Sequence, residues 1–262
     1  MRWAWLLVLV ACVDARTVVP APPLKPAHQL RVMSYNVYFV RAGDPDTIDA
    51  IASADPDVVF LQETTPRWAR ALVGRLGATY PHRYFEGPDR WPAEGMGLLS
   101  RYPIVAVERL ERVVLYFAWR VVLDTHLGPI QVLHVHLRAA KTDGNGWPLR
   151  YFATDDDRLR EIEYFVEELD PRLPTLIVGD FNEETHGRAM QFLLAGGDYA
   201  DAIAEHAGKT RTWEWRVAGF TLRLQLDHIL HDEHFVAVTA GILEAGNSDH
   251  KPVWADLERI EP

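Results

Sequence analysis

One cysteine, Cys12, is present in 262 residues, so no disulfide can form within the chain. Low-complexity tracts and internal repeats are missing, which excludes solenoid and fibrous architectures. Long apolar runs are missing too. The N-terminal run, residues 3–11, has nine residues against about 20 needed to span a bilayer. No other stretch reads as membrane-spanning. Positive charge is in deficit, with 27 Lys and Arg against 37 Asp and Glu, a net charge of −10. Such a chain does not coat nucleic acid by bulk charge, and any polyanion site must be local.

What remains is ordinary globular material, 48% hydrophobic and 24% charged. The length suits one large domain, which buries roughly 70–75% of its unfolded surface without a staple. The basic start Met1-Arg2 and the apolar run read as a secretory signal over residues 1–15. Cys12 closes that run after Leu9-Val10-Ala11. This resembles a bacterial lipoprotein signal, whose Cys is lipidated and anchors the chain to a membrane. Cleavage after Ala15 is the other reading. Either way the product is exported: periplasmic, lipid-anchored or secreted. Residues 16–29 hold Pro20, Pro22, Pro23 and Pro26 and read as a stiff linker. The domain proper is expected over residues 30–262.

Within it, residues 30–37 and 58–61 read as strands, and residues 46–54 as a helix. Thr65 offers an N-cap with Pro66 at the first helical position, and Trp68, Leu72 and Leu76 recur at helical spacing before Gly77. Short strand candidates follow at 97–100, 104–107, 113–117, 120–124 and 130–137, as in antiparallel hairpins. Thr154 and Asp155 to Asp157 cap a helix whose buried stripe is expected at Leu159, Ile162, Val166 and Leu169. Residues 176–178 read as a strand and 186–194 as a helix, with Thr185 as its cap. The chain ends in strands near 228–230, 235–240 and 253–257. The expected fold is a single α/β domain of mixed sheets covered by helices.

Polar groups recur at the ends of these apolar runs. Glu63 follows Leu61-Gln62, and His136 sits near a strand end. Gly179-Asp180-Phe181-Asn182 places a carboxylate and an amide two residues apart, on one side of an extended chain. Leu226-Asp227-His228 and Ser248-Asp249-His250 complete the set. Strand ends are where α/β folds place their sites.

Seven segments occur in the order of one known family: Ser34-Tyr35-Asn36-Val37, Leu61-Gln62-Glu63, Gly97 to Ile104, His136-Leu137, Gly179 to Asn182, Asp227-His228-Ile229 and Ser248-Asp249-His250. Together they resemble the endonuclease/exonuclease/phosphatase superfamily over residues 31–257. The resemblance implies a four-layer α/β sandwich, two mixed β-sheets packed face to face and flanked by helices. It also implies hydrolysis of phosphoesters with Mg²⁺ as the usual cofactor, and Mn²⁺ as a substitute.

Mg²⁺ takes oxygen ligands and keeps several waters, so one or two carboxylates suffice. Glu63 is the expected ligand, Asn36 adds an amide oxygen or holds a ligating water, and Asp249 touches the metal or a second position. By resemblance, Asp180 orients or activates the attacking water and Asn182 helps hold it. His250 contacts the phosphate or moves a proton, and Asp227 fixes its tautomer. His136 stabilises the transition state by hydrogen bonding. His134 lies on the same strand face and competes for that role; His136 is preferred because Leu follows the family's histidine. His228 is read as structural, and His126, His186, His231 and His234 as surface residues.

The substrate is less legible, because fold alone does not select it. Arg138 and Lys141 follow His136 closely enough to meet a phosphate. Lys209, Arg211 and Arg216 interleave with Trp213 and Trp215, a pattern that suits stacked bases or, more simply, a hairpin with tryptophans in the core. The loop with Trp147, Leu149, Tyr151 and Phe152 is expected to pack beneath the next helix. A nuclease or related phosphodiesterase is the leading expectation. A phospholipid-headgroup or sugar-phosphate esterase and a non-catalytic binding module are the alternatives.

Overall fold

The structure, a computed structural model, describes residues 22–140, 153–208, 210–217 and 220–260. The expected signal with Cys12, Lys141, the Trp147–Phe152 loop and Lys209 lie outside the described residues.

Two six-stranded mixed sheets carry the fold. Strand β1 (Leu30–Asn36) pairs parallel with β2 (Val58–Gln62) at the centre of the first sheet. That sheet continues through β4 (Met96–Ser100) to edge strand β3 (His82–Glu86), and on the other side through β14 (Val253–Arg259) to β13 (Phe235–Ile242). The second sheet runs β5 (Ile104–Leu110), β6 (Ala118–Thr125), β7 (Gly128–His136), β8 (Thr175–Asp180), β12 (Asp227–His231) and β9 (Ala200–Asp201). Its parallel pair is β7 with β8. A separate hairpin, β10 (Trp213–Val217) and β11 (Phe220–Leu224), joins the body by a bridge between Trp213 and His250.

Val32, Phe60, Trp119, Val132, Val178 and Ile229 fill the space between the sheets. Helices α1 (Pro45–Ala54) and α2 (Pro66–Leu76) cover the outer face of the first sheet around Tyr35, Ile51, Trp68 and Leu72. Helices α3 (Asp155–Glu167) and α4 (Arg188–Ala195) cover the second around Leu133, Phe165, Phe181 and Met190. A short helix α5 (Ala202–Ala207) follows β9. This is the expected four-layer α/β sandwich. Burying apolar strands on both faces accounts for runs such as Val58-Val59-Phe60-Leu61, which are apolar at every position.

Thr65 caps α2 as expected, its side chain accepting from the Trp68 amide behind Pro66. Several expectations are corrected. Residues 113–117 form no strand; they are a strap leading into β6. Helix α4 starts at Arg188 after Gly187, so Thr185 is not its cap. The buried face of α3 is Arg158, Glu161, Ile162 and Phe165, with Leu159, Val166 and Leu169 only partly buried. Two charged residues are buried because each has partners: Arg158 meets Glu183 and Asp155, and Glu161 accepts backbone amides. His231 is also buried rather than superficial.

The proline-rich stretch is tied down where it is described. The Arg31 guanidinium donates to the Pro23 carbonyl at 2.7 Å and to both oxygens of buried Asp256 at 2.7 Å. Lys25 pairs with Asp57 at 3.0 Å. These contacts sit at the N-terminal end of β1, the end away from Asn36.

Candidate active site

Sheet register assembles the site. His136 on β7 is the partner of Asp180 on β8, and Asp180 is the partner of Asp227 on β12. In the first sheet Asn36 on β1 is the partner of Gln62 on β2, which places Glu63 one residue beyond. The parallel strands thus end on one side of the molecule, and the antiparallel β12 begins there.

Asp180 is the hub, and it is buried. Its Oδ2 accepts from Asn36 Nδ2 at 3.0 Å and lies 3.6 Å from His136 Nε2 and 3.5 Å from His250 Nε2. Its Oδ1 accepts from the Asn182 amide at 2.8 Å. The Asn182 side chain donates to the Leu137 carbonyl at 3.0 Å, locking the ends of β7 and β8 together. Gly179 makes this approach feasible: at φ +150°, a Cβ there would lie 1.9 Å from the Val135 carbonyl oxygen. Backbone strain gathers here as well. Of the four described non-glycine residues at positive φ, Tyr38, Glu63 and Asn182 line the site cavity.

His250 is held between two carboxylates, with Nδ1 2.8 Å from Asp227 Oδ2 and Nε2 facing Asp180. Burial alone would lower its pKa, but Asp227 and Asp180 outweigh that and hold it well above the usual histidine value. His136 is the opposite case. Burial lowers its pKa despite the attraction of Asp180, so it is a neutral imidazole at neutral pH. Burial also raises Asp180, with His250 opposing. Tyr116 stacks on His136 with ring centroids 4.4 Å apart and 21° between planes.

Asn36 fixes the second carboxylate too, donating to Glu63 Oε1 at 3.2 Å while its own Oδ1 accepts from the Tyr38 amide. Its oxygen is therefore engaged with backbone, and its nitrogen faces the carboxylates. Glu63 Oε2 accepts from the Phe39 amide at 3.1 Å. Burial pushes Glu63 up to about 7, and the nearby Asp249 charge adds to that. Asp249 accepts from Trp213 Nε1 at 3.3 Å. The cavity is about 350 Å³, and Glu63, Asp249, Asp180 and both histidines line it beside Tyr38, Trp213 and Trp215.

Repelling carboxylates in one cavity are a donor set that fits a hard divalent cation. Asp180, Asp227 and His250 also bring ligand atoms within 4.8 Å of one another. The Asp227–His250 hydrogen bond already occupies that grouping, which leaves Glu63 and Asp249 as the cavity carboxylates not paired with a histidine ring.

All eight residues singled out in the sequence meet here, with Asp227 behind His250. His134 does not. It lies one step deeper between the sheets, 2.8 Å from Gln62 Nε2. His228 is internal, with Nδ1 2.8 Å from Asp201 and Nε2 3.0 Å from the Glu183 carbonyl. The hairpin expected around Trp213 and Trp215 is present, but its tryptophans belong to a small cluster with Ala140 and Leu226 rather than to the main core. Sequence reasoning missed Tyr116, which sits in an irregular strap, and Glu161, which looked like helix surface.

Comparison with known proteins agrees with this fold. Among solved structures, a Beutenbergia cavernae endonuclease/exonuclease/phosphatase is 22% identical, over 88% of this chain and 72% of that one, with a TM-score of 0.68. TDP2 of D. rerio, solved with a single-strand DNA product, is 16% identical over 88% and 99% of the two chains, with a TM-score of 0.64. The human Nocturnin catalytic domain, solved with a bound sulfate anion, is 20% identical over 90% and 97%, with a TM-score of 0.64. No curated protein matches. The family model for the Endonuclease/Exonuclease/phosphatase family matches residues 33–250, and with that span covering most of the domain, the chain belongs to this family.

Proposed function

We propose that the protein is a Mg²⁺-dependent phosphodiesterase, with nucleic acid or another nucleotide-bearing diester as its substrate class. One observation carries the reading: a buried carboxylate, Asp180, whose Oδ2 has the ring nitrogens of His250 and His136 at 3.5 and 3.6 Å. Glu63 and Asp249 are the residues that would hold the cation, with Asn36 fixing Glu63. Bound there, Mg²⁺ or Mn²⁺ would polarise the phosphoryl oxygen and offset charge on the leaving oxygen.

The chain's own groups do the rest. Asp180 orients the attacking water and accepts its proton, for which its raised proton affinity suits it. Asn36 and the Asn182 amide keep that carboxylate in place. His250, charged and steadied by Asp227, donates to a phosphate oxygen. His136 donates a neutral hydrogen bond from the other side, stabilising charge that builds up in the transition state. No covalent enzyme intermediate is needed. Trp213 and Trp215, stacked 6.2 Å apart beside the cavity, suit a planar base.

The test is cleavage of supercoiled plasmid and of a single-stranded oligonucleotide, with Mg²⁺ or chelator, beside an Asp180→Ala control. Cleavage needing both metal and Asp180 supports the proposal. Release of phospholipid headgroups or sugar phosphates without strand cleavage replaces the substrate class. A folded protein that binds these ligands and cleaves none is a binding module. We also propose export by the N-terminal segment, either with cleavage before a lipidated Cys12 that becomes the first residue or with cleavage after Ala15 and soluble release. Intact mass of the mature protein decides this, and an unprocessed Met1 would refute it.

A further inference from the structure

The strap over residues 111–117 belongs to no strand, yet it places Tyr116 face to face with His136. One side chain accounts for this. Glu161 on α3 is fully buried, and its two oxygens reach two different segments. Oε1 accepts from the Leu115 amide at 3.0 Å, and Oε2 accepts from the Arg138 amide at 2.8 Å. Leu115 precedes Tyr116, and Arg138 lies two residues beyond His136. A single carboxylate thus ties the segment carrying one ring to the segment carrying the other.

The geometry points to Glu161 and Tyr116 as positioning residues for His136. A histidine ring rotates in a broad torsional well about its terminal bond. A neighbouring ring at 4.4 Å and 21° restricts that rotation and keeps Nε2 aimed toward Asp180, 3.6 Å away. The Tyr116 ring supplies the contact, and Glu161 keeps the strap from lifting. Only a carboxylate serves both amides. Glutamine has a single acceptor, and its NH₂ would face a backbone N–H and release one segment. The kinetic consequence rests on the phosphodiesterase reading; the ring geometry does not.

The test compares Glu161→Gln, Tyr116→Leu and Tyr116→Phe, each alone and combined with His136→Ala. Tyr116→Phe keeps the ring and is expected within about twofold of the parent. Tyr116→Leu and Glu161→Gln are expected to lower kcat about 10- to 100-fold, with KM within about threefold, since small misplacements of reacting groups cost that much. In the His136→Ala background each should add less than about twofold, because the effect passes through His136. Equal losses in both backgrounds, or an unchanged kcat in folded Tyr116→Leu, overturn the proposal.

Should Glu161→Gln fail to fold, the Tyr116 pair still decides. An NMR readout separates this proposal from the parent reading. The Tyr116 ring current should shift the His136 ring protons upfield, and Glu161→Gln and Tyr116→Leu should both abolish that shift. A protein inert toward every phosphoester that still loses the shift in Glu161→Gln would refute the phosphodiesterase reading and keep the positioning one. Retention of the shift in Glu161→Gln refutes the positioning.

Discussion

His250 holds Asp227 at 2.8 Å through Nδ1 and faces Asp180 at 3.5 Å through Nε2. The two carboxylates together overcome the burial that would otherwise discharge the ring. Replacing Asp227 by Asn removes the larger of these two attractions, so the His250 pKa should fall. The alkaline limb of the kcat–pH profile should then move to lower pH, and kcat at pH 8 should drop about 10²- to 10⁴-fold, the usual scale for proton-transfer groups. An unshifted limb would show that another group sets it.

Cation binding should release a proton. Burial holds the Glu63 carboxyl near pH 7, so below that pH a proton competes with the metal. Apparent Mn²⁺ affinity measured by calorimetry should rise between pH 6 and pH 8. Glu63→Gln should abolish that dependence and weaken binding at least about tenfold, the scale on which even outer-sphere changes act.

His228 carries a second pH signature, in stability rather than rate. Both ring nitrogens face acceptors, Asp201 and the Glu183 carbonyl. Burial opposes the charge, but Asp201 outweighs it and raises the pKa above the usual histidine value. A raised folded-state pKa contributes stability that is fully present below about pH 6.5 and is lost as pH climbs through the folded value. Asp201→Asn should therefore cost more at pH 6 than at pH 9 in urea unfolding. The cost at pH 6 should be about 3 kcal/mol, as for one partner lost from a buried pair. A cost independent of pH would mean that the neutral ring is the native form.

Gly179 has no room for a methyl group against the Val135 carbonyl. Gly179→Ala should lower stability by about 2–4 kcal/mol, the range of overpacking combined with backbone strain. Because Asp180 is the next residue, activity should fall even in the folded fraction. Thermal melts and active-site titration separate the two losses.

Legibility in the sequence followed burial. Strands buried on both faces announce themselves, as in Val58 to Leu61 and Leu176 to Val178, and Glu63 and Asp180 stand at or just beyond their ends, whereas Asp249 and His250 lie in the loop before β14 and are legible only as a motif. Edge strand β3 was not seen because His82-Arg83-Tyr84-Phe85-Glu86 is half-exposed and polar. The strap at 113–117 reads as a strand because Val113-Val114-Leu115 is apolar and opens with two β-branched residues, but Glu161 takes the Leu115 amide before a ladder does. The buried face of α3 was misplaced for a related reason. Periodicity counts apolar residues, and Arg158 and Glu161 are buried by hydrogen bonds to distant segments that no local pattern contains.

The anchoring of Arg31 to Pro23 and Asp256 gives the molecule a polarity. Along β1, Arg31 stands five residues before Asn36, a separation of about 17 Å at roughly 3.3 Å per residue. The described chain therefore begins, at Pro22, near one pole of the domain, while the cavity lined by Glu63, Asp180 and His250 lies toward the other.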